Sequence, residues 1–194
     1  MDHKIKYHDN EGEFYTLADI LPEGNTPLDI LAIGKFPTHT SVNIGHYYQG
    51  FQGKRFWGNL LEYGILNKVT QFEDDSCLLN PIKIGLTDLV KRPRESGNEP
   101  NQDEYIAGIK RICKIIENHS PKVLMFVYKK ALDNMLFRFR LLTKYGFNEN
   151  IEEIFHGRKV FVCPIAGVGA VTSHDIYKHM TELKNYCTKH ILDQ

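Results

Sequence analysis

The segment "ILAIGKFPTHTSVNIGHYYQGFQGKRFW", Ile30 to Trp57, contains the features from which we infer the fold. Its first residues are a short apolar run, which predicts a buried strand. Gly34 and Pro37 predict a sharp turn directly at the end of that strand. A polar loop with two adjacent tyrosines follows, and Phe56 then opens a pattern of helical periodicity. The segment therefore predicts a strand, a loop rich in hydrogen-bonding groups and a helix.

The rest of the chain repeats this alternation of strand and helix. Short apolar runs bounded by Pro, Gly or charge predict four strands, at 28–34, 81–86, 122–128 and 159–165. Helical periodicity predicts helices at 54–66, 103–119, 129–146 and 172–192, the third ending at Gly146 as a C-cap. Strands that alternate with helices form a mostly parallel sheet. We therefore expect a three-layer α/β/α sandwich with a central, mostly parallel four-stranded sheet.

The length of 194 residues suits one compact domain. We expect this domain to span residues 28–194, with residues 1–27 as an N-terminal extension that forms a short helix near Thr16–Leu21 or an arm. No apolar run reaches the roughly 20 residues of a membrane helix, and the first residues lack a signal-peptide core. We expect a cytoplasmic protein, with no membrane partner, that is monomeric.

The balance of charge argues against a protein that coats phosphates generally. Lysines plus arginines number 24 and acids number 24, so any basic face must be local. The "VKRPR" segment, with Lys91, Arg92 and Arg94, and the cations of 128–146 are candidates for such a face. The four cysteines are dispersed, with no C-x-x-C pair, so we expect neither a metal site nor a cofactor.

Ligands of parallel α/β folds bind beyond the carboxyl ends of the strands. We therefore expect a ligand site in the loops at 34–53, 86–100 and 164–173, whereas the loop after the third strand turns directly into a helix and is less informative. In the first loop, polar side chains and the tyrosines suit a planar, hydrogen-bonding ligand such as a base. In the second, Asp88 is a candidate general base. In the last, Gly167 and Gly169 permit close approach of the backbone, although the Lys-Ser/Thr of a Walker A loop is missing.

Taken in order, these segments resemble the uracil-DNA glycosylase superfamily, and most closely its mismatch-specific uracil/thymine branch. The matching segments are "GKFPT", "GHYYQG", "KRFWGNLLEYGI", "GLTDLVKRP", "PKVLMFVYKKA" and "VFVCPIAGVGAVTS", which extend from about Leu28 to Tyr186. The resemblance implies an enzyme that flips a nucleotide out of DNA and hydrolyses its N-glycosidic bond without a cofactor. It also implies that Gly34, Lys35, Phe36, Pro37 and Tyr48, or else Tyr47, hold the base.

The resemblance further implies that Val168, between Gly167 and Gly169, fills the vacated space in the duplex, and that Lys91, Arg92 and Arg94 contact phosphates. The chain departs from the family at the position of the water-directing Asn or Asp, which is Phe36 here, and has no donor side chain at Ile165–Val168. Three hypotheses follow from this departure. The catalytic role has moved to Asn43, His39, His46 or Asp88, or the pocket takes a different base such as a bulky modified phage base, or the protein is a silent DNA- or partner-binding module.

Overall fold

The computed structural model describes residues 2–67, 69–95, 97–137, 139 and 141–193. Its central sheet has five strands in the order β4–β3–β5–β7–β6. They are β3 (Ile30–Gly34), β4 (Ile84–Asp88), β5 (Val123–Phe126), β6 (Gly146–Phe147) and β7 (Lys159–Val162). The four strands expected from the sequence are the parallel ones, and the two-residue β6 pairs antiparallel with β7 at the edge. The mixed α/β fold with a mostly parallel sheet is confirmed, with one additional short strand.

Both faces of the sheet are buried. Along β3, Ile30 and Ala32 pack on one face, with α2 (Phe51–Glu62) and α5 (Ser173–Cys187). Leu31 and Ile33 pack on the other face, with α3 (Gln102–His119) and α4 (Lys129–Met135). Side chains alternate across a strand, so a continuous apolar run such as β3 needs a helical layer on each side.

Before the sheet, β1 (Lys4–Asp9) and β2 (Gly12–Leu17) form an antiparallel hairpin. Leu17 and Ile20 enter the same buried core as β3, and Ile20 pairs with Leu86. The segment expected to be a short helix or an arm therefore continues from a strand and packs against the sheet. A boundary at residue 27 stays a prediction.

The third helix is shorter than we expected from the sequence. Helix α4 ends at Met135, and Gly146 begins β6 with a φ of 78° instead of capping a helix. The side chain of Asn148 explains part of this difference: it accepts from the N–H of Lys144 and donates to the carbonyls of Lys144 and Gly146, each at 2.9 Å. These backbone groups are satisfied locally, so the chain turns into the strand.

A short helix, α1 (His39–Ile44), lies between β3 and α2, and a 3₁₀ turn covers Asp74–Ser76. A second 3₁₀ segment spans Glu149–Phe155, and a π-helical turn, Thr188–Leu192, follows α5. Within the described ranges, no helix combines the length and apolar character that crossing a bilayer requires.

Candidate functional site

A cavity of about 670 Å³ lies at the carboxyl edge of the sheet. Its walls come from the segments that follow β3, β4, β5 and β7, and from the start of α2. The residues that line it include Lys35, Phe36, Pro37, Tyr48, Phe51, Asp88, Tyr128, Lys129, Lys130, Tyr145, Val168 and Gly169. The expectation that a ligand site lies at this edge therefore agrees with the position of the cavity.

Asp88 is the last residue of β4 and lines the cavity. Its side chain lies on the same face of the strand as Ile84 and Leu86, because residues two apart share a face. Only 1% of the residue is exposed, and its Oδ1 has no hydrogen-bond partner among the described residues. Burial raises the pKa of Asp88 to about 7, an effect that the nearby Lys91 ammonium opposes.

The absence of a side chain at Gly34 makes room for the Asp88 carboxylate. The two residues are register partners in the parallel pair β3–β4. A Cβ at residue 34 would overlap Asp88 Oδ1 and would lie 2.9 Å from the ring of Tyr48. Tyr48 has a φ of 56°, and its hydroxyl lies 3.3 Å from the carbonyl oxygen of Thr87. Asp88 and Tyr48, which both pack against Gly34, line the cavity, whereas Gly34 itself is outside the lining.

A network of charges lies behind this wall. Asp19 accepts from Lys91 Nζ at 2.7 Å and from Arg111 Nη1 at 2.6 Å, and Lys91 also donates to the carbonyl of Leu17. Burial opposes the ionisation of Asp19, but Lys91 and Arg111 outweigh it and lower the pKa of the carboxyl. Arg111 also donates to the backbone carbonyl of Asp88. The network therefore holds the backbone at the end of β4 in place. The Asp88 carboxylate is not part of the network and faces the cavity.

The position of Lys91 corrects one prediction from the sequence. We expected a phosphate contact, but its side chain is 7% exposed and its ammonium is held by Asp19 and Leu17. Arg92 and Arg94 are partly exposed and form ion pairs with Asp9 and Glu104, respectively. Arg138 and Arg140, from the second basic segment, lie outside the described residues.

The turn after β3 places Phe36 in the wall of the cavity, with the Lys35 ammonium 4.7 Å from the centre of its ring. Lys35 also pairs with Glu99 at 2.7 Å. The turn is held to the loop after β4: the carbonyls of Gly34, Lys35 and Pro37 accept from the N–H groups of Leu89, Val90 and Arg94. The backbone of the turn is therefore rigidly placed, while Phe36 itself contributes an apolar surface.

The two adjacent tyrosines have different positions. Tyr48 lines the cavity, whereas Tyr47 is fully buried, outside the cavity lining, with its hydroxyl 3.3 Å from Lys91 Nζ. The bond from the Trp57 indole N–H to the Tyr47 carbonyl, at 3.1 Å, ties this pair to α2. Tyr48 is therefore the tyrosine that lines the cavity, and a base contact at Tyr47 stays a prediction that its burial does not favour.

Three of the four candidate water-directing residues lie outside the cavity lining. His39 and Asn43 are exposed on α1 and do not line the cavity, although Thr38 and Ser41 from the same segment do. His46 is buried and bonded to Asp74, away from the lining. Among the four residues considered for this role, Asp88 is therefore the one that contributes to the cavity wall.

The loop after β7 closes one side of the cavity. Gly167 and Gly169 have φ values of 76° and 60°, the left-handed region that favours glycine. Between them, Val168 lines the cavity, and its N–H donates to the carbonyl of Ile165 in a tight turn. Arg55 donates to the carbonyl of Ala166 at 2.5 Å and so joins this loop to α2.

Several lining residues were not identified from the sequence. Tyr128, Lys129 and Lys130 follow β5, whose loop we had regarded as less informative, and the position after a buried parallel strand was the signal that identifies them. Phe51 opens α2 and is 73% exposed, with the Arg55 guanidinium 4.1 Å from the centre of its ring. Tyr145 precedes β6 and carries no comparable signal in the sequence.

A family model described as the uracil DNA glycosylase superfamily matches residues 21–174. This interval includes the four parallel strands and every loop that contributes to the cavity wall, and it covers most of the 194 residues. Membership supports a function on DNA of the glycosylase kind, since proteins of this superfamily generally hydrolyse N-glycosidic bonds. The chain belongs to the uracil DNA glycosylase superfamily.

Proposed function

We propose that this protein is a monofunctional DNA glycosylase that flips a damaged or modified base into the cavity and hydrolyses its bond to the sugar. The observation that carries the proposal is the Asp88 carboxylate: buried, at the carboxyl end of a strand, in the cavity wall, with one oxygen lacking a partner among the described residues. Buried polar groups of this kind usually have partners, so an exception in a cavity favours a functional role.

In this reaction the bond between sugar C1′ and the base nitrogen breaks, and the base leaves with the electron pair. Water then forms the new bond to C1′. The ionised Asp88 stabilises the positive charge that develops on the sugar and takes the proton from the attacking water. A pKa of about 7 suits this role, because a general base works best near the operating pH.

The walls of the cavity suit a flat ligand. Phe36, Tyr48 and Phe51 offer ring surfaces on which a base can stack, an interaction worth about 1–3 kcal/mol per base. The volume of about 670 Å³ leaves room for bases larger than uracil, including the bulky modified bases carried by phages. Phe36 does not fill the cavity, and Ile165 is buried outside its lining, so the pocket is open.

Phosphate contacts come from the cations around the cavity. Lys129 and Lys130 line it, and Lys130 has no ion pair among the described residues. Arg92 and Arg94 bind phosphates after they leave their ion pairs with Asp9 and Glu104. Val168 fills the space in the duplex that the flipped base leaves. Binding is then strongly salt-dependent, since phosphate contacts release counterions. The likeness to the mismatch-specific branch remains part of this proposal.

The test is alkaline strand scission on end-labelled duplexes and single strands that contain uracil, hypoxanthine, a T·G mismatch or hydroxymethylated or glucosylated cytosine. We expect cleavage at one class of base by the wild type, a loss of about 10²–10⁴-fold in Asp88→Asn, and little change in the matched control Asn43→Ala. Strand scission should require alkali, because a monofunctional enzyme leaves the abasic site intact.

Three outcomes contradict parts of the proposal. Full activity in Asp88→Asn would show that Asp88 is not the water-directing residue. Borohydride trapping of an enzyme–DNA adduct indicates a lysine nucleophile, with Lys35, Lys129 and Lys130 as the amines at the cavity. DNA binding without cleavage of any base identifies a silent module.

A further inference from the structure

The geometry points to a second site, separate from the cavity, that binds a divalent metal ion of the zinc type through His3, His46, Asp74 and Asp75. These residues come from three segments: the start of the hairpin, the loop between α1 and α2, and the 3₁₀ turn Asp74–Ser76. One ligand atom from each, a ring nitrogen or a carboxylate oxygen, lies within 4.8 Å of all the others. We predicted no metal site because the four cysteines are dispersed, and the four residues of this cluster are likewise not grouped along the chain.

The separations of the ligand atoms fit a four-coordinate ion. Zinc binds His nitrogen and carboxylate oxygen at about 2.0–2.2 Å, which places tetrahedral ligand atoms about 3.3 Å apart. His3 Nε2 lies 3.3 Å from Asp75 Oδ1 and 3.9 Å from Asp74 Oδ2, and His46 Nδ1 lies 2.8 Å from Asp74 Oδ1. These distances between ligand atoms lie on both sides of the tetrahedral value, so small side-chain rotations would bring the four atoms to the distances that a bound ion requires.

The charge of the cluster also favours a cation. The side chain of Asp74 is fully buried, and no described lysine or arginine forms an ion pair with it. Burying a carboxylate without a cation is costly, so a bound cation would stabilise Asp74 in this position.

The surroundings of the cluster resemble the outer sphere of a metal site. The N–H of Tyr47 donates to Asp74 Oδ2 at 2.6 Å, which orients the carboxylate. The ring of Phe72 stacks on His46 at 3.7 Å and shields one side. The side chains of His3 and Asp75 are 16% and 13% exposed, so they form the side through which an ion enters.

The role of this site is structural. None of the four residues lines the cavity, but Asp74 holds the backbone of Tyr47, and the next residue is Tyr48 of the cavity wall. A bound ion joins the N-terminal segment and the Asp74–Ser76 turn to the loop that carries these tyrosines. The site is independent of the function proposed for the cavity, since binding is measured without DNA.

The test uses chelator-treated, tag-free protein with Cys113→Ser, because that exposed thiol is a competing ligand. Titration calorimetry with Zn²⁺ should give one ion per chain. Saturating zinc, at about 100 times Kd, should raise Tm by about 5–10 °C. His3→Ala and Asp75→Asn should each lower affinity by more than the about 10–100-fold expected for outer-sphere partners.

His8→Ala is the matched control, since His8 is exposed on β1 outside the cluster, and its affinity should equal that of the parent. Circular dichroism of each metal-free variant verifies folding, and Asp75→Asn carries the test if His3→Ala does not fold. The proposal is overturned if the parent binds no zinc and shows no shift in Tm. Equal affinity in the parent and in a folded ligand variant overturns it as well.

Discussion

Gly34 and Asp88 are register partners on adjacent parallel strands, and Asp88 Oδ1 occupies the space where a side chain at residue 34 would lie. The turn after β3 is the usual position of the water-directing residue in the family that this chain resembles. Here that turn carries Phe36, and the carboxylate reaches the same edge of the sheet from the neighbouring strand. The glycine is therefore as much a part of the candidate site as the aspartate.

We expect Gly34→Ala to reduce base excision at least tenfold and to cost about 1–3 kcal/mol of stability through overpacking. The added methyl group displaces the Asp88 carboxylate, which is fully buried and has little room to move. Single-turnover excision and urea unfolding measure the two effects. Gly58→Ala is the control: no atom lies within 4 Å of its added Cβ, and alanine favours the helix. Wild-type activity in Gly34→Ala would falsify the assigned geometry.

The raised pKa of Asp88 makes its effect on stability depend on pH. The unfolded chain releases this proton near pH 4, whereas the folded protein keeps it to about pH 7, so ionisation lowers stability as pH rises between these values. Asp88→Asn removes this cost, and its stability relative to wild type should rise by about 2–3 kcal/mol from pH 5 to pH 8. Urea unfolding at both values measures the difference.

The titratable and charged groups around Asp88, namely Lys91, Asp19, Arg111, Tyr47, Tyr48 and Tyr128, are common to both proteins and largely cancel in this comparison. A difference in the free energy of unfolding between Asp88→Asn and wild type that does not change with pH contradicts the prediction. The same carboxylate should make kcat/KM of the wild type rise through about pH 7, because the ionised form acts on water. A profile that falls over this range indicates a general acid instead.

We expect Phe51→Ala to weaken binding to substrate DNA by about 5–150-fold, the equivalent of losing about 1–3 kcal/mol of stacking on a base. The ring is largely exposed at the cavity mouth, so the free energy of unfolding should change by no more than about 0.5 kcal/mol. Fluorescence anisotropy with a labelled duplex measures the affinity. Leu79→Ala, an equally exposed residue outside the cavity lining, should leave affinity unchanged. Equal losses in both variants would rule out a specific stacking role.

Lys91→Met should destabilise the protein and leave DNA binding intact. Its ammonium is buried between Asp19 and the carbonyl of Leu17, so its removal should lower the free energy of unfolding by about 3 kcal/mol. This value is the lower end of the range for broken buried ion pairs, because Arg111 still pairs with Asp19. Thermal unfolding and the salt dependence of DNA affinity separate the two roles. Lys130→Met is the comparison variant. Its slope of log affinity against log salt concentration should become shallower by about 0.9, the value for one phosphate contact on duplex DNA. A reduced salt slope in Lys91→Met, with unchanged stability, would restore the phosphate contact expected from the sequence.

The sequence pattern was enough to predict the four parallel strands, because each is a short apolar run rich in branched or aromatic residues and bounded by Pro, Gly or charge. It also identified the edge where the cavity lies, since parallel strands bring the loops after them together. It also identified Asp88 and Tyr48 as candidates. The sequence could not separate them from His39, Asn43 and Tyr47, because residue type does not show whether a side chain in a loop points toward the cavity.

The tertiary structure alone decided those directions. Alternation along β4 turns Asp88 toward the cavity, while α1 leaves His39 and Asn43 in solvent, and Asp19, distant in sequence, draws Lys91 into the core. The cluster of His3, His46, Asp74 and Asp75 exists only in three dimensions, since over 70 residues separate His3 from Asp75. Local pattern sets strand and helix, but which side chains meet is set by packing between segments that are far apart in the chain.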